Sequence, residues 1–470
     1  MDYAAAVDYI LSFADFERAV SRRASEEFAL DRINSVLDRL GRPQDATSES
    51  PRLTVHVAGS KGKGSTAAMI ESVLRAGGHR TGFFSSPHIH DFNERIRLDG
   101  QPLERQQFAD LAERLQPVLD AELRDAPGRL STFEILTAMA FLAFRDAGVA
   151  AQVIEVGLGG RLDCTNVMRG TDVAVVTALS KEHVQVLGDD LRKIAWEKAG
   201  IVHADTRGAV LGPQRSAEAA QRVREHVAGC GVPLVEVGER YAWEPAGAEE
   251  AGQWFRLRRR RSADGAAEAG APEETLHLLP LLGLHQIENA ATAVAAVDEL
   301  RRQGVTFSDG ALHTGLATVA WPGRLETIAH DPQVVIDGAH NEESLARVLE
   351  SLRHYFDYER LIAVVGVLGD KDLDGMAERL AAEASAVVVT AADHPRSRPA
   401  HDAAGAFTSR IPEIVVEPRV ATAVETARSL AGPNDLVCVL GSLFVAAEAR
   451  AYIQRQAGAQ PTSARADREP

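Results

Sequence analysis

The sequence predicts an α/β protein made of two successive units, each built on a mostly parallel sheet, and three observations predict it. A short β-branched run, Leu53–Ala58, leads into a glycine-rich turn and then a helical stretch, Ala67–Ala76. The runs Ala151–Val156 and Thr171–Thr177 are short and apolar, as strands buried on both faces are. After Trp321 the rhythm restarts with Val334–Asp337, Leu361–Val365, Ala386–Thr390 and Leu436–Leu440, with helical segments between them.

Taken in order, the chain opens with helix-like material to about Leu40, and a stretch rich in turn residues follows from Gly41 to Pro51. The first α/β unit then begins at Leu53. Residues 241–275 interrupt it with the run Arg256–Arg261 and an Ala/Gly/Glu-rich stretch to Glu274. A short arginine run followed at once by acids reads better as an exposed hairpin edge kept soluble by charge than as a nucleic-acid patch. The domain boundary is placed between about Gly304 and Gly323, giving units 1–310 and 311–458. The polar segment 459–470 is expected to be a disordered tail.

Composition narrows the class without naming a function. A length of 470 residues exceeds one ordinary core, and 45% apolar with 25% charged residues excludes a wholly disordered chain. There is no apolar stretch of about 18 residues for a spanning helix, and Met1-Asp2-Tyr3 lacks a secretory start. With 51 Lys and Arg against 67 Asp and Glu, the net charge of −16 argues against nonspecific adhesion to nucleic acid or membrane. Cys164, Cys230 and Cys438 lack CxxC spacing and read as reduced thiols. The expectation is a cytoplasmic, globular monomer.

The chemistry starts at Gly59-Ser60-Lys61-Gly62-Lys63-Gly64-Ser65-Thr66. Glycines let consecutive N–H groups turn around phosphate oxygens, and the helix start adds favourable partial charge. A lysine can neutralise terminal phosphates, and a hydroxyl can face phosphate or metal. The match to GxxxxGK[ST] is imperfect, because Gly64 separates Lys63 from Ser65. Strand, loop, lysine, hydroxyls and helix together make phosphate binding the better reading than a flexible turn.

Six further segments follow in order: Ser85–Ile96, Ser131–Ile135, Glu155–Asp163, Glu197–Ile201, Trp321–Glu326 and Asp337–Asn341. With the loop, they resemble folylpolyglutamate synthase, including the bacterial bifunctional dihydrofolate synthases of the Mur ligase superfamily, over roughly residues 25–450. The resemblance implies a P-loop-type ATPase domain followed by a smaller Rossmann-like α/β domain. It implies ATP-dependent amide formation between a folate or dihydropteroate carboxylate and L-glutamate, without nucleic acid or membrane as partner. Two departures stand out: Ser60-Lys61 where the family usually has Thr-Asn, and Gln185 where it often has Asp.

Site residues follow from the same resemblance. Ser60–Thr66, Asn289, Arg324 and Asp337 match ATP contacts, shared between two domains that would close around substrate before chemistry. Ser86, Glu155 and His183 match magnesium ligands, with two ions implied. Lys63, His183, Lys198 and His340 match catalytic positions, Lys198 as a carbamate, which only a neutral amine can form. Ser131, Thr132, Phe133, Glu134, Leu162, Asp163 and Cys164 match pterin-binding stretches. Spacing alone leaves plainer readings open: Glu155 as an ion-paired strand end, His183 as a helix start, Lys198 as a solvated helix lysine before a glycine stop. Phe133 reads equally as core, and Asp337–Asn341 as a turn before a helix. Two rival readings are a Mur-type ligase for another amino acid and, in a different class, a nucleotide-switch ATPase module.

Overall fold

The computed structural model describes residues 1–14, 30–47, 51–125, 130–181, 188, 190–260, 273–369 and 371–459. The chain forms two units, residues 1–280 with 284–320, and residues 281–283 with the chain from Trp321 onward. The division falls after Ala320, later than the 310/311 boundary the sequence suggests, because helix Ala311–Ala317 packs on the first unit. There Ser72 Oγ donates to the Gly315 carbonyl at 2.7 Å, and a Cβ on Gly315 would lie 2.4 Å from Val73 Cα.

The first unit's main sheet has eight strands: β1 (Leu53–Ala58), β2 (Thr81–Phe84), β3 (Ile96–Leu98), β4 (Gln101–Pro102), β5 (Ala151–Glu155), β6 (Val173–Val176), β7 (Gly208–Leu211) and β8 (Leu234–Glu236). Their order is β4-β3-β2-β5-β1-β6-β7-β8. The sheet is parallel from β2 to β8, and β3 and β4 add an antiparallel edge. Helices cover both faces. One core gathers Ile10, Leu37, Phe108 and Phe141 from four helices, and another joins β6 and β7 to Ala195 and Val223. That double cover is why β1, β5 and β6 are buried along almost all of their length, polar residues such as His56 and Gln152 included.

A second, three-stranded antiparallel sheet holds β9 (Tyr241–Glu249), β10 (Gly252–Arg259) and β11 (Glu274–Leu279), with β10 in the middle. The arginine run is therefore not a hairpin edge. Strand alternation splits it: Arg256 and Arg258 face outward onto Glu274 at 3.2 and 2.8 Å. Arg259 turns inward, meeting buried Asp298 of helix Leu284–Arg302 at 2.7 Å, and Tyr241 OH donates to the same carboxylate at 3.0 Å. Removing one partner of such a buried pair costs about 3–5 kcal/mol.

The second unit's sheet comprises β12 (Glu326–His330), β13 (Gln333–Ile336), β14 (Leu361–Val365), β15 (Ala384–Ala391), β16 (Glu413–Arg419) and β17 (Leu436–Leu440). Its order is β12-β13-β17-β14-β15-β16, parallel except for β12. Alternate residues feed two cores: Val335, Ala363 and Cys438 on one face, Val334, Ile362 and Val437 on the other. The tail expected from 459 lies, beyond Ala459, outside the described residues. Among the described residues no helix is long and apolar enough to cross a membrane.

Candidate functional site

The phosphate-type loop leaves the carboxyl end of β1, between β5 and β6. Register sets three strand ends level there, with Val57 opposite Glu155 and Ala58 opposite Val176. Gly59 turns the chain at φ +146°, and a Cβ on it would fall 1.9 Å from Thr177 Oγ1. Gly62 (φ +82°) stands before helix Lys63–Ala76, where a Cβ would meet Asn289 Oδ1 at 2.2 Å. Both glycines are required by conformation and by contact. The loop backbone is pinned from β6: Ser60 and Lys61 N–H both donate to the Ala178 carbonyl at 3.0 Å, and Thr177 Oγ1 donates to the Lys61 carbonyl at 2.8 Å.

This framework leaves the right groups for an anion. Lys63 opens the helix, and its charge acts on buried Asp163. The Thr66 hydroxyl is fully buried and has no hydrogen-bond partner among the described residues. Asn289 lies against the loop, steadied by donating to Gln286 Oε1 at 3.0 Å. Sequence reasoning missed Thr177 and Gln286. Thr177 ends the strand beside β1, which was its one available signal.

At the end of β5, Glu155 is 4% exposed and accepts the Ser86 N–H at 3.3 Å, so two of the expected magnesium ligands are neighbours. His183 lies outside the described residues. An oxygen donor set of one carboxylate and hydroxyls fits a hard divalent cation, which takes much of its shell from water and phosphate. Among the described residues no three His, Cys, Asp or Glu side chains cluster, as such phosphate-borne binding allows.

Lys198 is 1% exposed, and its Nζ donates to the Gly59 carbonyl at 2.8 Å. The solvated-helix reading is therefore overturned. Glycine contacts bring this about: a Cβ on Gly160 would lie 2.7 Å from the Glu197 carbonyl and 3.1 Å from Lys198 Cα. Arg161 fastens the same turn by pairing with Glu197 at 2.9 Å and covering the Trp196 ring at 4.4 Å.

The expected pterin stretches are largely occupied by structure. Ser131 and Glu134 form a capping box on helix Thr132–Asp146, with Ser131 N–H donating to Glu134 Oε2 at 2.7 Å. Thr132 donates to the Ile10 carbonyl at 3.1 Å, and Cys164 is buried against Thr137 Oγ1 at 3.1 Å. Asp163 accepts from Leu158 N–H and from Thr165; burial raises its pKa, opposed by those hydrogen bonds and by Lys63. Phe133 and Leu162 remain half-buried, and Phe133 lies on Gly157, where a Cβ would fall 2.4 Å from the ring.

In the second unit, Asp337 directly follows β13, and each of its oxygens accepts one backbone N–H, Leu325 at 2.9 Å and Ala339 at 2.7 Å, which leaves further acceptor capacity. Burial raises its pKa, with Arg324 opposing. Gly338 lets Arg324 lie close, since a Cβ there would stand 2.6 Å from Nη1. His340 Nδ1 lies 3.0 Å from the Gly338 carbonyl, and Asn341 caps helix Glu342–Tyr355. Buried Ser442, at the end of neighbouring β17, was not anticipated.

Comparison with known proteins follows these two units. A family model described as Mur ligase middle domain matches residues 57–297, and one described as Mur ligase, glutamate ligase domain, matches residues 323–443. The chain is 36% identical over 406 residues to a dihydrofolate synthase/folylpolyglutamate synthase of Mycobacterium tuberculosis, covering 83% of this chain and 80% of that protein. It is 33% identical to the Bacillus subtilis protein of that name, covering 90% and 94%. Among solved structures, M. tuberculosis folylpolyglutamate synthase complexed with ADP and AMPPCP matches with TM-score 0.80 at 32% identity, covering 90% of this chain and 95% of that one. E. coli FolC in complex with DHPP and ADP matches with TM-score 0.79 at 28% identity, covering 97% and 99%.

Proposed function

The chain belongs to the folylpolyglutamate/dihydrofolate synthase family of Mur ligases, and from that membership we propose that it joins L-glutamate to a folate-type carboxylate at the expense of ATP. The observation that carries this reading is the loop Gly59–Thr66, pinned between β1 and β6, with Lys63, Asn289 and Lys198 gathered on it.

A carboxylate is a poor electrophile, so it must first be activated. One of its oxygens attacks the γ-phosphorus of ATP, the bond to ADP breaks, and an acyl phosphate results. The neutral amine of glutamate then attacks the carbonyl carbon; inorganic phosphate leaves, and the amine proton passes to solvent. Carboxylate and triphosphate repel, so cations must hold them together. Lys63 is the side chain assigned to the transferred phosphate, while the loop N–H groups between Gly62 and Ser65, beyond those of Ser60 and Lys61 that bind Ala178, and Asn289 orient the chain of phosphates. Ser86 and Glu155, with His183 as the third expected ligand, would hold magnesium, which would screen the charge of the phosphates.

Lys198 is assigned as a carbamate: its neutral amine forms an N–C bond to carbon dioxide and releases one proton. Its burial supports this, because removal from water costs the ammonium more than the neutral amine that carbon dioxide requires. Arg324, Asp337 and His340 are assigned to nucleotide and catalysis on the second unit. The half-buried pair Phe133 and Leu162 is assigned to the pterin. The enzyme acts as a monomer in this reading.

The test is ADP release by the purified protein with ATP and magnesium. Release should require both a folate-type acceptor and glutamate. Release without either would favour the switch ATPase, and release with a different amino acid but not glutamate would favour the other Mur-type ligase.

A further inference from the structure

We propose that Arg52, Gln44 and Gln152 hold a small monovalent anion of halide or formate size at the amino edge of the first unit's main sheet. Arg52 immediately precedes β1 and Gln152 is the second residue of β5, paired with Thr54. The phosphate loop leaves the other end of β1, about 20 Å away along a six-residue strand. The inference is independent of the ligase reading.

All three side chains are more than nine-tenths buried: Gln44 is 1% exposed, Arg52 6% and Gln152 0%. They converge on one segment. Arg52 Nη2 donates to the carbonyls on either side of Gln44, Pro43 at 2.8 Å and Asp45 at 3.2 Å. Gln152 Nε2 donates to the Gln44 carbonyl at 3.2 Å and to Thr54 Oγ1 at 2.9 Å. Five polar atoms nevertheless have no partner among the described residues: Arg52 Nε and Nη1, Gln44 Nε2 and Oε1, and Gln152 Oε1. Buried polar atoms are almost always hydrogen-bonded, so five orphaned atoms on three side chains tied to the same short segment, residues 43–45, point to a ligand.

Charge decides which ligand. A guanidinium does not shed its proton, and an uncompensated buried cation is costly. Asp45, the nearest acid, is committed elsewhere: Oδ2 accepts Arg42 Nε at 2.6 Å, and Oδ1 accepts the Arg169 N–H at 3.2 Å. Burial lowers the pKa of Arg52, with the Asp45 charge opposing and the Arg145 charge adding to it. Donors outnumber acceptors among the orphaned atoms, and Arg52 itself carries a charge. An acceptor-only anion matches; a metal ion does not. Closure from solvent limits its size. Met168, whose sulfur lies 3.7 Å from Gln152 Nε2, also lines an open groove of about 550 Å³ together with Arg42, Arg169, Asp38 and Asp205.

The test uses the full-length protein with chloride and bromide. Thermal unfolding is followed in sodium chloride and in sodium gluconate at matched ionic strength, which holds screening constant. Chloride should raise the midpoint of wild type by about 2–5 °C and leave Arg52→Met unmoved. Crystals grown in bromide should show an anomalous peak in contact with Arg52 and Gln44. Equal chloride shifts in wild type and Arg52→Met would overturn the proposal. So would bromide crystals in which water alone bridges the five atoms, and this result does not depend on the variant folding.

Discussion

Lys61 and Lys63 stand two residues apart in one loop, yet the structure gives them different work. The backbone of Lys61 carries the pinning contacts to Thr177 and Ala178, whereas Lys63 opens the helix with its charge near Asp163. Lys63→Ala should therefore keep the fold and lower kcat by roughly 100-fold or more, because the lost charge acts mainly on the transferred phosphate. Near-full kcat with a modest KM change would remove Lys63 from the chemistry. Lys198→Ala should be nearly inactive, and short carboxylates such as acetate should restore part of the rate by replacing the carbamate. Undiminished activity of Lys198→Ala would return this lysine to a structural role. The loop was legible in the sequence because its glycines, lysine and hydroxyls are contiguous. The burial of Lys198 was not, because the groups that close over it, Gly59 and Gly160, are remote in the chain.

Of the main sheet's eight strands, β1, β5 and β6 were legible because a strand covered on both faces is rich in apolar and β-branched residues, whereas the short strands β2, β3, β4, β7 and β8 were not. One polar residue inside such a strand has a measurable consequence. His56 of β1 is buried with Nε2 2.9 Å from Thr165 Oγ1, and burial pushes its pKa from 6.5 down to about 3. Below pH 6.5 the unfolded chain takes up a proton that the fold refuses. Stability is thus complete above about pH 6.5 and declines as the pH falls toward 3, by up to about 1.4 kcal/mol per pH unit. His277 of β11, also lowered to about 3 by burial, adds to the same window. Urea denaturation at pH 7 and pH 5 should show His56→Gln losing less stability than wild type; an equal loss would mean that His56 titrates normally in the fold. The place of β10 in its sheet was not legible, since its third strand returns only after residues 261–272. Nor did sequence distinguish Glu134 as half of a capping box from Glu134 as a ligand, because both readings need the same carboxylate at the same helix start.

At the scale of the whole molecule, two α/β units in this order match the middle and glutamate ligase domains of Mur ligases, and relatives share 33–36% identity across most of the chain. Fold and reaction class were readable from sequence because six short segments keep their order over hundreds of residues, most of them at a strand end or helix start where an α/β sheet presents ligands. Glu197–Ile201 instead closes a helix, and Trp321–Glu326 leads into β12. In the proposed reaction this chain activates a folate-type carboxylate by phosphorylation and then passes it to glutamate. The most direct test supplies an acceptor whose free carboxylate carries heavy oxygen, together with ATP, magnesium and glutamate, and weighs the inorganic phosphate released. Passage through an acyl phosphate predicts one heavy oxygen in each phosphate, formed in step with a product one glutamyl residue heavier. Unlabelled phosphate would contradict the account, because the carboxylate would then never have been bonded to phosphorus.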